Sequence, residues 1–231
     1  MNEQLVLGLS LKEALEKEDF FISSSNLDAV TLLDNTDRWA SGVLLLVGPK
    51  GSGKTHLSTV WSKENKAKHV KLEAVLREME NGLDHEFVCV EDIDVIEKAE
   101  RQKKLKIEEG IFHLINSIRS KGGNLLISSR IMPNALSIGL KDLESRLQSF
   151  SNTTIKEPDD TLVMALLLKY FNDRQIFVKH SNLDYIAARI NRTYSSIYEF
   201  VHYVDHKSLV LNRKITRPFI DAALRQMEKK Y

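Results

Sequence analysis

A chain of 231 residues with 33 lysines and arginines against 32 aspartates and glutamates carries a net charge of only +1, which excludes a global electrostatic pull toward nucleic acid or an anionic membrane. A hydrophobic fraction of 42% with 28% charged residues reads as an ordinary globular protein, with room for a large domain and a small appended one. The single cysteine, Cys89, excludes a disulfide framework and suits a cytoplasmic setting; no apolar run reaches membrane-span length, and the first residues lack a signal-peptide core.

Near the N-terminus, Leu5, Leu7 and Leu9 alternate, so an extended segment places all three on one side. Two readings stay open on the residues alone: an edge strand on the protein's own core, or a linear peptide for a partner's groove. Residues 11–18 read as a short helix. Phe20-Phe21-Ile22 is an apolar anchor, and the polar residues 23–26 supply a cap for a helix over 27–33.

The apolar run 43–47 then leads into Gly48-Pro49-Lys50-Gly51-Ser52-Gly53-Lys54-Thr55, which fits G-x-x-x-x-G-K-[ST]. A strand before it and a helical pattern over 54–65 after it complete the context of a phosphate-binding loop. The glycines allow a tight turn whose successive N–H groups point inward and cradle phosphates. Lys54 has the reach for the β- and γ-phosphates, and the Thr55 hydroxyl is placed to ligate Mg²⁺.

A short strand over 68–72 and a helix over 73–80 precede the apolar run 87–90, of the kind buried on both faces in a parallel sheet. It ends in Glu91-Asp92-Ile93-Asp94. A buried strand that delivers carboxylates beside a phosphate loop suits metal binding by one of them and orientation of a water by its neighbour, which points to Glu91 and Asp92. Residues 97–106 are dense in charges of both signs and read as solvated surface; a single-stranded DNA contact would want interleaved aromatics, which they lack. A helix over 107–120 and a strand over 124–130 continue the alternation. Arg146 stands near a helix end before a polar break at 149–154, and taken alone it reads as solvated or locally paired. After Glu157 the pattern becomes helical, over 159–172, 182–190, 194–207 and 216–230. The expected fold is α/β, a parallel sheet with helices on both faces followed by a small all-α domain.

Taken together, these residues resemble the DnaA family of AAA+ replication ATPases, and within it the shorter, Hda-type regulators. The resemblance is carried by Gly53-Lys54-Thr55-His56-Leu57, Glu91-Asp92-Ile93, Phe112-His113-x-x-Asn116 and Leu126-Ile127-Ser128-Ser129-Arg130. Leu143 to Leu147, Ile155-x-Glu157-Pro158, and Lys214-Ile215-Thr216 with Pro218-Phe219 complete it. It implies a nucleotide-binding domain over 11–156 and a helical lid over 157–231, with ADP or ATP and Mg²⁺ as cofactors. Gly48 to His56, with Phe21 at the mouth of the adenine pocket and Arg192 from the lid, would hold the nucleotide. Thr55, Glu91 and Asp92 would hold the metal, and Asp92, Ser129 and Arg146 are the residues of catalysis, Arg146 as an arginine finger acting in trans.

Gln4, Leu5, Leu7 and Leu9 match the peptide by which such regulators bind the DNA polymerase sliding clamp, its beta subunit, which assigns residues 1–10 to clamp binding. The implied function is negative regulation of replication initiation: bound to the clamp, the protein promotes hydrolysis of ATP held by the DnaA initiator. The alternative is an autonomous ATPase that loads or remodels a helicase on single-stranded DNA. The chain has no helix-turn-helix after the lid, so sequence-specific DNA binding is not expected; the resemblance allows a homodimer.

Four positions depart from the family pattern. Gly8 stands where the clamp peptide usually has proline, and Glu91 where the metal-binding aspartate usually stands. Ser129 replaces an acidic residue, and Ser195 falls where relatives have a lid arginine, with Arg192 one helical turn earlier. These changes are expected to spare nucleotide binding more than the protein's own hydrolysis.

Overall fold

The computed structural model describes residues 20–228. The clamp-peptide positions Gln4, Leu5, Leu7 and Leu9 and the helix expected over 11–18 lie outside the described residues. These form two compact units, one ending at Lys156 and the other starting at Glu157.

The first unit is built on a five-stranded parallel sheet, among the described residues, in the order β2-β3-β4-β1-β5. Its strands are β1 (Val43–Val47), β2 (Lys68–Val70), β3 (Phe87–Val90), β4 (Asn124–Ser129) and β5 (Ser151–Thr154). Strand β1 is buried along its whole length because it sits between β4 and β5, and no side chain on either face meets water. The strand period of two divides its residues between two helical layers. Val43, Leu45, Val88, Val90, Leu125 and Ile127 pack into one cluster with residues of α3 (Val75–Glu80), α4 (Arg101–Ser120) and α5 (Lys141–Ser149). Leu44, Leu46, Cys89 and Leu126 are buried on the opposite side. There α2 (Lys54–Asn65) packs against β3 and β4, and α1 (Leu27–Leu33) against β5. Helices therefore cover both faces, as the alternating pattern predicts.

One segment differs from expectation and another is longer than expected. The polar break at 149–154 contains β5, which pairs in parallel with β1 from Leu44↔Ser151 to Val47↔Thr154. Its sequence, Ser-Asn-Thr-Thr, carries no apolar signal because an edge strand buries little; Thr153 is its one buried residue, and backbone pairing holds the rest. The charged residues 101–106 are mostly solvent-exposed, as expected; they form the first turns of α4, which therefore starts before the expected 107, and its buried face begins at Ile107.

The second unit consists of α6 (Asp160–Asp173), α7 (His180–Ala187), α8 (Tyr194–Leu211) and α9 (Arg217–Glu228). Asp159 caps α6 by accepting the Leu162 N–H at 2.8 Å, and the Thr193 hydroxyl caps α8 by accepting the Ser196 N–H at 3.1 Å. Val163, Leu167, Phe171, Phe200, Val201 and Ile220 form its core. Burial of each such side chain contributes about 1.5–3 kcal/mol, enough for a small helical unit to hold its own core. No helix among the described residues is long and apolar enough to cross a membrane.

Candidate functional site

The phosphate loop leaves β1 at its C-terminal end and is stitched to the neighbouring strand by a Gly48 N–H donated to Ser129 O at 3.1 Å. Gly51 and Gly53 take φ of 83° and 90°, a region that costs a side-chain-bearing residue strain. A Cβ at Gly48 would stand 2.7 Å from Ser52 Oγ and 3.1 Å from Ile155 Cβ, so a larger residue there would have to push the Ser52 side chain aside. Ser52 is buried, and its hydroxyl has no hydrogen-bond partner.

Lys54 opens α2 with 6% of its surface exposed, and its Nζ donates to Gly48 O at 2.8 Å and Pro49 O at 3.1 Å. Burial pushes its pKa below the ordinary lysine range against the opposing pull of Asp92, and Arg130 pushes it further down. A desolvated ammonium beside a glycine-rich loop at the start of a helix suits an anionic group. Thr55 and Lys50 are exposed on the loop. The aromatic laid on the loop is Phe20 rather than Phe21. Phe20 blocks the space beside Gly53 and stands 5.3 Å from the His56 ring, while Phe21 is 47% exposed. Adjacent phenylalanines point apart, and the sequence alone does not say which faces inward.

The carboxylates at the end of β3 have unequal surroundings. Glu91 has a buried Oε1 with no hydrogen-bond partner. It lines a cleft of about 380 Å³ with His69, Lys71, Glu73, Asp92 and Val95. Asp92 takes a left-handed backbone, φ 52°, and its N–H donates to the Ser128 hydroxyl at 2.9 Å. Its Oδ2 lies 3.3 Å from Arg130 Nη2. Asp94 Oδ1 accepts the Arg130 N–H at 2.8 Å, with Oδ2 3.9 Å from Arg130 Nε. Ser129 is fully buried, and its hydroxyl donates to Ile131 O at 2.7 Å.

Among the described residues no three His, Cys, Asp or Glu side chains converge as a metal group. The free Glu91 Oε1 suits Mg²⁺ held with help from phosphates and water, the usual way this ion binds.

Within the α3–α5 layer, α4 carries Phe112 and Asn116 one turn apart on the same face. The Arg146 guanidinium lies 4.6 Å from the Phe112 ring centroid and donates to Asn116 Oδ1. It is half-buried, and among the described residues no carboxylate pairs with it. One turn before Phe112 on α4, fully buried Glu108 accepts the Gly139 N–H at 3.0 and 3.1 Å and the Leu140 N–H at 2.8 Å. Those amides open α5, which has no side-chain cap of its own. A buried carboxylate from α4 takes that role and suits the positive end of the helix dipole. Within the helical unit, Arg192 pairs with Asp160 at 2.7 Å, and the Ser195 hydroxyl lies 3.2 Å from that of Thr193.

Sequence reasoning missed Ser128, Asp94, Arg130 as a partner of the carboxylates, and Glu108. A polar residue on a fully apolar helix face, as at Glu108, was the one available signal.

The sheet order, the loop at the end of β1 and the appended helices form a fold shared with solved structures of replication initiators. Domain III of the Thermotoga maritima replication initiation protein DnaA superposes with a TM-score of 0.71 at 18% identity, over 94% of this chain and 98% of that one. AMPPCP-bound DnaA from Aquifex aeolicus matches with a TM-score of 0.62 at 16% identity, over 82% of this chain and 64% of that one. Residues 159–224, which make up most of the helical unit, match the family model of the Hda lid domain. An uncharacterized protein of Haemophilus influenzae (strain ATCC 51907 / DSM 11121 / KW20 / Rd) is 28% identical over 237 residues, covering 97% of this chain and 99% of its own length.

Proposed function

We propose that this chain is a cytoplasmic, nucleotide-braced negative regulator of replication initiation. It presents Arg146 to the ATP held by a DnaA-type initiator while its N-terminal peptide docks on the sliding clamp. The observation that carries the reading is the state of Arg146. Its guanidinium is pinned by a neutral amide and a ring face, so its position is set while its charge stays undischarged. An arginine held in that way suits stabilisation of the charge that develops on a transferring γ-phosphate in a neighbouring protein.

The chain's own site supports nucleotide binding more than turnover. The loop and Lys54 form the cradle, and the DnaA of similar fold named above binds AMPPCP. In contrast, Asp92 is engaged by Arg130 and the Ser129 hydroxyl by Ile131 O, which leaves Glu91 as the carboxylate free to act. When bound, Mg²⁺ would supply neutralisation of phosphate charge, with Thr55 and Glu91 as its protein ligands. ADP is the expected resident nucleotide.

The test is hydrolysis of initiator-bound ATP with DNA-loaded clamp. Stimulation by the wild type that is lost on deletion of residues 1–9 supports the reading. Hydrolysis by this chain alone, driven by single-stranded DNA and indifferent to the clamp, would replace it with the autonomous ATPase.

A further inference from the structure

We infer that Arg130 is the second fixed cation of the phosphate site and makes nucleotide binding by this chain largely independent of Mg²⁺. This rests on the nucleotide reading and adds to it a rule for how phosphate charge is balanced.

Register places the residue. Val47 pairs with Ser129, and the Gly48 N–H is donated to Ser129 O, so Arg130 follows directly beside the first residue of the loop. Its backbone is held by Asp94 Oδ1 at 2.8 Å and its guanidinium by Asp92 Oδ2 at 3.3 Å. Arg130 is also close enough to Lys54 to push the lysine's pKa down. The charged groups that meet here are therefore Lys54 and Arg130 against Glu91, Asp92 and Asp94.

In a magnesium-dependent site the carboxylates at the end of β3 repel the phosphates until a divalent ion intervenes. Here the Arg130 guanidinium already covers Asp92 and is tied to Asp94, so among the described residues only Glu91 of the three carboxylates is left without a partner. Ser129 adds no negative charge at the adjacent position, so Arg130 has no third carboxylate to satisfy. With 40% of its side chain exposed, Arg130 keeps N–H donors available for a phosphate oxygen. A divalent ion held by Thr55 and Glu91 leaves the Arg130–Asp92 pair intact, so Mg²⁺ is tolerated without being required.

The experiment is a fluorescence titration of full-length protein with N-methylanthraniloyl-ADP, in excess Mg²⁺ and in excess EDTA. Wild-type affinity is expected to differ by less than about threefold between the two buffers. Arg130→Met is expected to lose about tenfold in EDTA and less than about threefold in Mg²⁺, the weight of one half-exposed charge near a phosphate. Arg130→Lys, which restores the charge, should recover most of the EDTA affinity. Wild-type binding that needs Mg²⁺, or equal losses by Arg130→Met in both buffers, overturns the inference and leaves the nucleotide reading intact. Binding in neither buffer removes the nucleotide reading and the inference with it.

Discussion

Two half-exposed arginines in the first unit are held in opposite ways. Arg130, at the end of β4, is held by carboxylates: Asp92 at 3.3 Å and Asp94 at 3.9 Å. Arg146, on α5, is held by the Asn116 amide and the Phe112 ring. Carboxylates offset part of a guanidinium's charge and tie it to the chain's own site, whereas neutral groups fix its position and leave the field of a full positive charge pointing outward. The difference separates a residue that balances the chain's own site from one suited to act on another molecule's anion.

The largest effect expected from this contrast is at Arg146 itself. Arg146→Ala should reduce stimulated hydrolysis of initiator-bound ATP by about 10³–10⁵-fold, the usual weight of an arginine finger, with nucleotide affinity and melting temperature unchanged. Phosphate release in the presence of loaded clamp measures it. Asn116→Asp is the sharper probe, because it keeps the guanidinium in place but gives it the kind of partner Arg130 has. Stimulation should fall by about 10²-fold or more as the charge is neutralised. Asn116→Ala should cost less, since an arginine loosely held by Phe112 alone still carries its charge.

A third prediction concerns the frame around Arg146. Glu108→Leu removes the acceptor of two backbone amides and should destabilise the fold by about 1–3 kcal/mol, the cost of leaving buried donors unmade. Urea unfolding reads that loss, and full retention of stability would show that α5 does not depend on the carboxylate.

The smallest effect lies on the opposite face of the sheet, at Cys89. Burial pushes its thiol from 9.0 up to about 12, with Glu91 adding to the rise. The native state therefore favours the protonated thiol. That contribution to stability is complete below pH 9 and drains away as pH climbs toward 12, because the unfolded thiol ionises first. At neutral pH the visible consequence is slow reaction with a thiol reagent, at a rate set by unfolding.

How much of this was legible in the sequence follows the distance over which each feature is assembled. The loop from Gly48 to Thr55 is local, and its glycines, lysine and threonine announce the turn and its chemistry within eight residues. The buried strands were legible because burial on both faces leaves continuous apolar runs. β5 was not, since four polar residues at a sheet edge are held by backbone hydrogen bonds to β1 that no side chain advertises. The choice of Phe20 over Phe21 against Gly53 was equally hidden, because it depends on which way the chain crosses the loop.

Sequence by itself determined the α/β pattern, the phosphate loop, the carboxylates that follow β3 and the change to helices after Glu157. Each of these is a matter of residue type and short-range spacing, and they sufficed for a resemblance to DnaA-type AAA+ proteins. Only the tertiary structure decided which charges meet. Arg130 reaches Asp92 across 38 positions of chain, Arg146 reaches Asn116 across 30, and Glu108 reaches Gly139 across 31. Such pairs exist because the sheet sets β3 beside β4 and α4 runs along α5, and electrostatics depends on distance in space rather than along the chain.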